Sequence, residues 1–446
     1  MRDEVQRILD AGGRFAAAWA SGEQWRAAFT TPDGVRVLST REPVSIVDLV
    51  EAAAWDEREA HDLYGLAFPG HTPLRPLVAH PATGWTTPVS GDGVHEVAVG
   101  PIHAGVIESG HFRFHTVGDR VLAMDPRLFY KHRGLERAAE GRAPQDALPY
   151  VRRACAACAV ANSVAYAHAV EEALGLWPDR SLRVARTLAL ELERLYNHLH
   201  DIGALCAGTG FAPGTMAFAA LKERAQRIIA RVAGHRFLFG AVAVGTGALS
   251  LDDPRETRAE LRELRAEAAA AWRELEFAAS LQARLDDVGV LAREDALRLG
   301  TVGPAARASG VREDARTNSP RLWYGQFTPA QPLAETGDVA ARLQVRAAEL
   351  EATCELLDEL LAKPVAPGET TARDEPREIG VGRVECPRGA TVCAVELHDG
   401  KVARVRLRTA SYANWPAVAH AAAGCLLPDF PLINKSFELC YACVDR

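Results

Sequence analysis

SFELCYACVDR occupies Ser436–Arg446 and sets Cys440 and Cys443 three residues apart; YVRRACAACAVANSVAYAHAVE occupies Tyr150–Glu171 and does the same with Cys155 and Cys158. Residues three apart on a helix share a face, so each pair can turn both sulfurs towards one ion. A single CxxC fits redox, zinc, iron–sulfur and accidental readings alike. Two pairs make a four-thiol set, the donor number of a tetrahedral zinc site, and soft thiolates suit nickel as well. Structural zinc pairs usually lie within a few tens of residues of each other. The wide separation here suits a buried site joining two remote parts of one large domain. Spacing alone leaves zinc and nickel both open. A helix start and the neighbouring Arg152 and Arg153 would favour thiolates at Cys155 and Cys158. The competing reading of that pair is two small buried residues in an alanine-rich core helix, since free cysteine is among the most buried types.

Around these pairs the chain reads as an ordinary globular protein. It has 446 residues, room for two or three domains, with 48% hydrophobic and 24% charged residues. A net charge of -7 and a pI near 6.1 leave no basic excess, and no nucleic-acid partner is expected. MRDEVQRILD at the start is charged and amphipathic, and no signal peptide is visible. The longest charge-free apolar run, Phe237–Leu251, falls short of the roughly 18–20 residues that cross a bilayer and is expected to be buried core. Nine cysteines are too few for the dense disulfide framework of a small secreted domain; thiols in a cytosolic protein, some of them ligating metal, are expected.

The pattern predicts an α+β chain: a long-helix bundle flanked by small β-sheets, with a small α+β unit ahead of it. Residues 1–80 form that unit, with a helix over Asp3–Trp25, a strand at GVRVLST and a helix at WDEREAHDLYG. Residues 81–93, rich in Pro, Gly, Thr and Ser, form a linker, and 94–446 the main domain. Alternating runs around 94–125 predict a small sheet. SLRVARTLALELERLYNHLHDIG, Ser181–Gly203, predicts an amphipathic helix from its Ser to its Gly. PRETRAELRELRAEAAAAWRELEFAASLQARL predicts another, and a third runs from about Gly337 to Leu361. RVECPRGATVCAVELHDGKVARVRLRT predicts a return to β, with HDGK as the turn.

Beyond these patterns, the chain carries GPIHAGVIESGHFRF, RLFYKHRGLERAAEGR, the Tyr150–Glu171 segment, GPAARASGVREDAR, ECPRG, ASYANWP and CYACVDR in that order. Together these resemble the large catalytic subunit of [NiFe]-hydrogenases, in the energy-converting branch that includes formate hydrogenlyase and hydrogenase-4. WDEREAHDLYGLAFPGHTPLRPL resembles the complex I 30-kDa subunit, which that branch carries fused ahead of its catalytic part. The 49-kDa subunit of complex I itself, the NADH-quinone oxidoreductase, shares the fold but lacks the cysteine pairs. Retention of all four cysteines therefore favours the hydrogenase side.

The resemblance implies reversible oxidation of H2 to protons and electrons. It implies Cys155 and Cys440 as terminal nickel ligands, with Cys158 and Cys443 bridging nickel to an iron that bears cyanide and carbon monoxide. Glu108 matches a proton-shuttling glutamate and Arg388 an arginine over the open metal site. Asp314 and Arg307 are expected to hold a nearby loop. His111, His115 and His132 are expected to be structural. Cys206, Cys354, Cys386, Cys393 and Cys425 show no pairing by spacing and read as core thiols. The chain departs from the family pattern at Ala156 and Ala159, usually glycines, at Asn162, usually histidine, and at Glu438-Leu439, usually Asp-Pro. Asn162 is expected to donate a hydrogen bond at the Cys158 or Cys443 sulfur. A family protease trims an extension just after the position of Arg446, so the chain reads as trimmed or as encoded without one.

No ferredoxin-like cysteine run is present, so the resemblance implies a [4Fe–4S] cluster in an iron–sulfur small subunit. It also implies a ferredoxin-like subunit, membrane-arm subunits and hydrogenase maturation proteins as partners. The expected location is cytoplasmic, peripheral on the inner face of the cell membrane. Two rivals stay open: a complex I-like quinone oxidoreductase subunit without a working metal centre, and a non-catalytic scaffold whose cysteines hold zinc or nothing.

Overall fold

In the computed structural model, which describes residues 1–103, 108–247, 249–326 and 329–446, helices pack with three three-stranded antiparallel sheets and one two-stranded sheet among the described residues. Sheet and helix contents agree with the α+β expectation. The N-terminal part differs in one respect. The first helix covers only Arg2–Asp10, and the rest of the expected helix is a hairpin of the Arg14–Ser21 and Gln24–Thr31 strands, joined to Gly34–Thr40. Gly12, at φ 81°, ends the helix, and Gly22, at φ 57°, makes the hairpin turn. Alanine in Arg14–Ser21 signals helix by propensity, but the strand is buried on both faces and lacks the alternation that would reveal it. Ala18 and Ala20 face the N-terminal core, while Ala17 and Trp19 pack with Val381, Val392 and Ala394 of a second sheet.

WDEREAHDLYG forms the predicted helix, Ala54–Tyr64, closed by Gly65 in the left-handed region at φ 68°. Its inner face is charged. Asp56 pairs with Arg406 at 2.8 Å and with Arg408 at 3.1 Å, and Glu59 pairs with Arg406 and Arg446 at 2.6 Å. Both acids are buried. Trp19 Nε1 and Ser21 Oγ each donate to the Glu396 carboxylate at 2.8 Å. The N-terminal unit is thus bolted to the second sheet by paired charges as well as by apolar contact.

That second sheet, Ile379–Cys386, Gly389–His398 and Lys401–Arg408, carries the site. The HDGK turn is as predicted, with Asp399 and Gly400 at φ 49° and 73°, the positive pair of a tight hairpin. The Ala159–Ala173 helix, buried except at Glu172, lies on the Ile379–Cys386 strand. Glycines allow this closeness: a Cβ at Gly382 would sit 1.9 Å from Ala165 O, and one at Gly380 equally close to Ala169 O. The obstructing atoms are backbone and cannot swing aside. Gly382→Ala is therefore expected to destabilise the chain by about 3 kcal/mol, the upper end for overpacking. Chemical denaturation would read this as a lower midpoint at unchanged slope, and an unchanged midpoint would refute it.

The long helix is Arg180–Gly208, capped by Asp179, whose side chain accepts Leu182 N–H, rather than by Ser181. It runs through Gly203 instead of stopping there, because Gly203 lets the Ala212–Ala233 helix approach with Phe218 Cβ against it. Arg255–Glu276 and Ala279–Leu285 divide the next predicted helix at Phe277, and Val339–Leu360, capped by Asp338, is the third. Phe237–Leu251 is largely buried but irregular, with bridges Val242–Gly247 and Leu251–Val365; Ala248 lies outside the described residues. Among the described residues no helix is long and apolar enough to cross a membrane.

Candidate metal centre

Two chain segments meet beside the sheet. Cys155 and Cys158 lie in the turn that enters the Ala159–Ala173 helix. Cys440 and Cys443 follow the Phe430–Phe437 helix, which Glu438 ends in the left-handed region at φ 49°. Cys440 Sγ is 3.2 Å from Cys155 Sγ, and the sulfurs of Cys155, Cys158 and Cys443 lie within 4.8 Å of one another. All four are free thiols, with Cys155, Cys158 and Cys443 buried.

The backbone around them is tied from several sides. Arg133 donates to Ala154 O at 2.8 Å and to Ala442 O at 3.3 Å, clamping one pair to the other. Ser411 Oγ accepts Cys440 N–H at 3.0 Å, and Thr409 Oγ1 donates to Cys443 O at 3.1 Å. Asp445 accepts the Phe129 and Lys131 N–H groups at 2.7 and 2.9 Å. Arg446 is buried against Glu59. The second cysteine pair is therefore as firmly fixed as the core.

Crowded thiols share protons unequally. Hydrogen bonds from Cys158, Cys440 and Cys443 pull the Cys155 thiol well below its ordinary range, and the same bonds to Cys155 push the other three up. Without a cation the cluster favours one thiolate. Four thiolates there require a strongly positive ion to displace the remaining protons. A buried, soft, four-sulfur donor set fits a nickel centre on chemistry and convergence.

Glu108 Oε2 lies 3.9 Å from Cys440 Sγ and accepts Ala442 N–H at 2.7 Å. Burial raises its carboxyl above the ordinary value. Arg388 sits in the two-residue turn between Cys386 and Gly389, 4% exposed. It donates to Asn197 Oδ1 at 2.7 Å, Asp201 Oδ1 at 3.1 Å and Glu438 O at 2.5 Å. Burial works against the guanidinium charge, but Asp201 and the cluster thiols hold it protonated. Glu438 thus acts through its carbonyl; its carboxyl, raised by burial, leaves Oε2 without a partner.

Asn162 corrects an expectation. It is fully buried, one helical turn beyond Cys158, yet neither its amide nitrogen nor its oxygen has a partner, so it bonds no cysteine sulfur. Cys386 is buried in the main core as expected, and its sulfur accepts Arg388 N–H at 3.4 Å. His111 and His132 bond to the Gly100 and Asp445 carbonyls, whereas His115 is buried with neither ring nitrogen bonded.

The sequence reading missed the residues that orient the site. Glu193 accepts Val160 and Ala161 N–H at 2.6 and 3.1 Å, satisfying the open start of the helix behind Cys158. Asn197 donates to Ala157 O at 2.8 Å while holding Arg388. Glu193, Asn197 and Asp201 recur every four residues, and that i,i+4 polar row was the available signal.

The chain matches known proteins along most of its length. The family model of the respiratory-chain NADH dehydrogenase 49 Kd subunit matches residues 209–380 and 369–446, over half the chain. The 30 Kd subunit model matches 27–93, and the nickel-dependent hydrogenase model 133–207. Formate hydrogenlyase subunit 5 of Escherichia coli is 33% identical over 440 residues, covering 90% of this chain and 76% of that protein. The chain belongs to the large-subunit family of energy-converting hydrogenases and complex I. Other members of this family include hydrogenase-4 component G of Escherichia coli, 31% identical over 91% of this chain and 76% of that protein. The membrane-bound hydrogenase subunit alpha of Pyrococcus furiosus is 28% identical over 79% of this chain and 87% of that protein. Among solved structures, the archaeal membrane-bound sulfane sulfur reductase superposes with a TM-score of 0.73 at 25% identity, covering 81% of this chain and all of that one. The large-subunit family is one of oxidoreductases, and its members here are subunits of membrane complexes.

Proposed function

We propose that the chain is the catalytic large subunit of a membrane-associated [NiFe]-hydrogenase complex that interconverts H2 with protons and electrons. The observation that carries the reading is the convergence of Cys155, Cys158, Cys440 and Cys443, with Glu108 and Arg388 beside them. The four sulfurs of Cys155, Cys158, Cys440 and Cys443 would hold a nickel–iron centre, its iron bearing cyanide and carbon monoxide. Bound nickel and iron supply a redox-active Lewis-acid pair that makes H2 acidic enough to split. Arg388, held by Asn197, Asp201 and the Glu438 carbonyl, would place a fixed positive charge near the Cys155 and Cys158 sulfurs. Glu108, a carboxyl raised towards neutrality by burial, takes and returns a proton at Cys440 Sγ.

Residues 1–80 act as a 30-kDa-like unit, 81–93 as the linker and 94–446 as the catalytic domain; a separate N-terminal core supports the first unit, and the 30 Kd match at 27–93 falls in it and continues through the linker. Electrons leave through a [4Fe–4S] cluster in an iron–sulfur small subunit, with a ferredoxin-like subunit beyond it. Membrane-arm subunits hold the complex on the inner face of the cell membrane, and maturation proteins insert the metals.

Metal analysis of the purified complex tests the reading. Nickel and iron are expected together, with infrared bands from metal-bound carbon monoxide and cyanide. Zinc alone, or no metal, would overturn it in favour of a complex I-like oxidoreductase subunit without a nickel–iron centre, a reading favoured by the 49 Kd match over 209–446.

A further inference from the structure

A cavity of about 340 Å³ opens between the Ala54–Tyr64 helix, the Arg120–Arg127 strand and the Ala410–Ala422 helix, with residues of the 75–87 segment in its wall. None of the four clustered cysteines lines it, nor do Glu108 and Arg388. Trp55 and Arg58, three apart on the first helix, share a face and line it together.

The charges in this wall do not balance. Among the described residues it carries four guanidinium groups and two carboxylates. Arg75 pairs with Asp125 at 2.9 Å, and Arg298 pairs with Glu51. Asp125 also accepts the Thr87 N–H and hydroxyl, at 2.7 and 2.9 Å, so neither acid is left over. Arg58 donates to the Arg75 and Pro76 carbonyls at 2.7 and 2.8 Å. Arg127 donates to the Pro81 carbonyl at 2.8 Å, lies 4.8 Å from the centre of the Trp85 ring, and has a buried Nε with no partner. Carbonyls satisfy donors but leave a charge uncancelled, and a sheltered charge without a counter-charge is costly. Burial, and then the Arg75 charge, pulls the Arg58 guanidinium down to about 10; burial also pulls Arg127 down. Trp55, Trp85, Leu77 and Met124 make the rest of the wall largely apolar.

We propose that this cavity binds a small organic oxyanion, a phosphate or carboxylate group on an apolar body, with Arg58 and Arg127 taking the charge and Trp55 and Trp85 the body. Planar guanidinium forks match both kinds of oxyanion. The bound molecule would join the helix of the N-terminal unit to the strand of the main domain. The inference stands apart from the reading of the sulfur cluster.

The test is titration calorimetry of the purified full chain with phenyl phosphate, benzoate and, as the neutral control, benzyl alcohol. Saturable binding of at least one anion is expected, with none of benzyl alcohol, and the tighter anion tells phosphate from carboxylate. Arg58→Met and Arg127→Met, which keep most of the apolar volume, are each expected to weaken that binding by roughly 10-fold or more. Arg127→Lys, which keeps the charge but not the fork, is expected to fall between Arg127→Met and the natural chain. Arg180→Met removes an exposed charge beside Trp323, outside the cavity, and is expected to change nothing. No saturable binding of either anion to the natural chain would overturn the inference. So would natural affinity in both Met variants, or an equal loss in Arg180→Met.

Discussion

Cys443→Ser and Cys155→Ser are each expected to leave the purified complex without stoichiometric nickel, a loss of retention beyond about 100-fold. Removing a mere neighbour of a ligand costs roughly 10–100-fold, and a ligand must exceed that. Both residues are buried in the sulfur cluster, and a serine hydroxyl is a harder, weaker donor for a soft ion. Cys206→Ser and Cys354→Ser are the controls. Both thiols are pushed up by burial, to about 11 and about 12, and lie outside the cluster. Elemental analysis of the four variants checks the expectation. Full nickel occupancy in Cys443→Ser would remove that residue from the ligand set.

Arg307→Met is expected to destabilise the chain by about 3–5 kcal/mol, the cost of stranding buried charge. Arg307 is fully buried and donates to Glu349 Oε1 at 2.7 Å, Glu385 Oε1 at 3.0 Å and Glu313 O at 2.7 Å. Methionine keeps most of the apolar volume and removes every donor. Burial opposes the Glu349 charge, but Arg307 and His198 hold its carboxyl well below the ordinary range. In the natural chain Glu349 therefore contributes stability above the usual carboxylate range, lost as the pH falls through the depressed value. In the variant the same carboxyl, deprived of Arg307, titrates higher and is tolerated when neutral. The deficit is thus expected to be largest near pH 7–8 and to shrink towards pH 5. Denaturation midpoints at the two pH values would decide it, and a deficit independent of pH would point to packing instead of charge.

Arg307 also illustrates what the sequence made legible. Its motif places it with Asp314 as a support for a loop near the site, and it acts so through the Glu313 carbonyl and the Asp314-capped turn at Ala315–Asn318. The cysteine pairs, Glu108 and Arg388 stand in short motifs, which carry their own local geometry. The long helix was legible as a helix, but its charged face was not legible as buried. Glu191, Glu193, Arg194, Asn197, His198 and Asp201 are all inside, paired across elements far apart in sequence. Periodicity reports which residues share a face and says nothing of what covers it. Arg14–Ser21 failed for a related reason: a strand buried on both sides presents no alternation, and its alanines argue for helix. The Asn162 side chain stands without a partner, which a motif on one segment cannot report.

The glycine contacts at Gly380 and Gly382 work as a vernier. Two scales of slightly different pitch, helix and strand, coincide over a few divisions and then drift, by roughly 0.6 Å at each rung. The sulfur cluster lies at the end of the readable range, where Asn197 joins the Arg388 turn to Ala157, next to Cys158. A two-residue insertion in the strand between Gly382 and Cys386 would keep every side chain on its own face. It would nonetheless advance the hairpin by one division and carry the Arg388 guanidinium about 6.6 Å from the sulfurs. The fold would survive such a slip with its core intact. The chemistry would not, and the alignment of two rulers is therefore what ties the reach of Arg388 to the length of an otherwise unremarked strand.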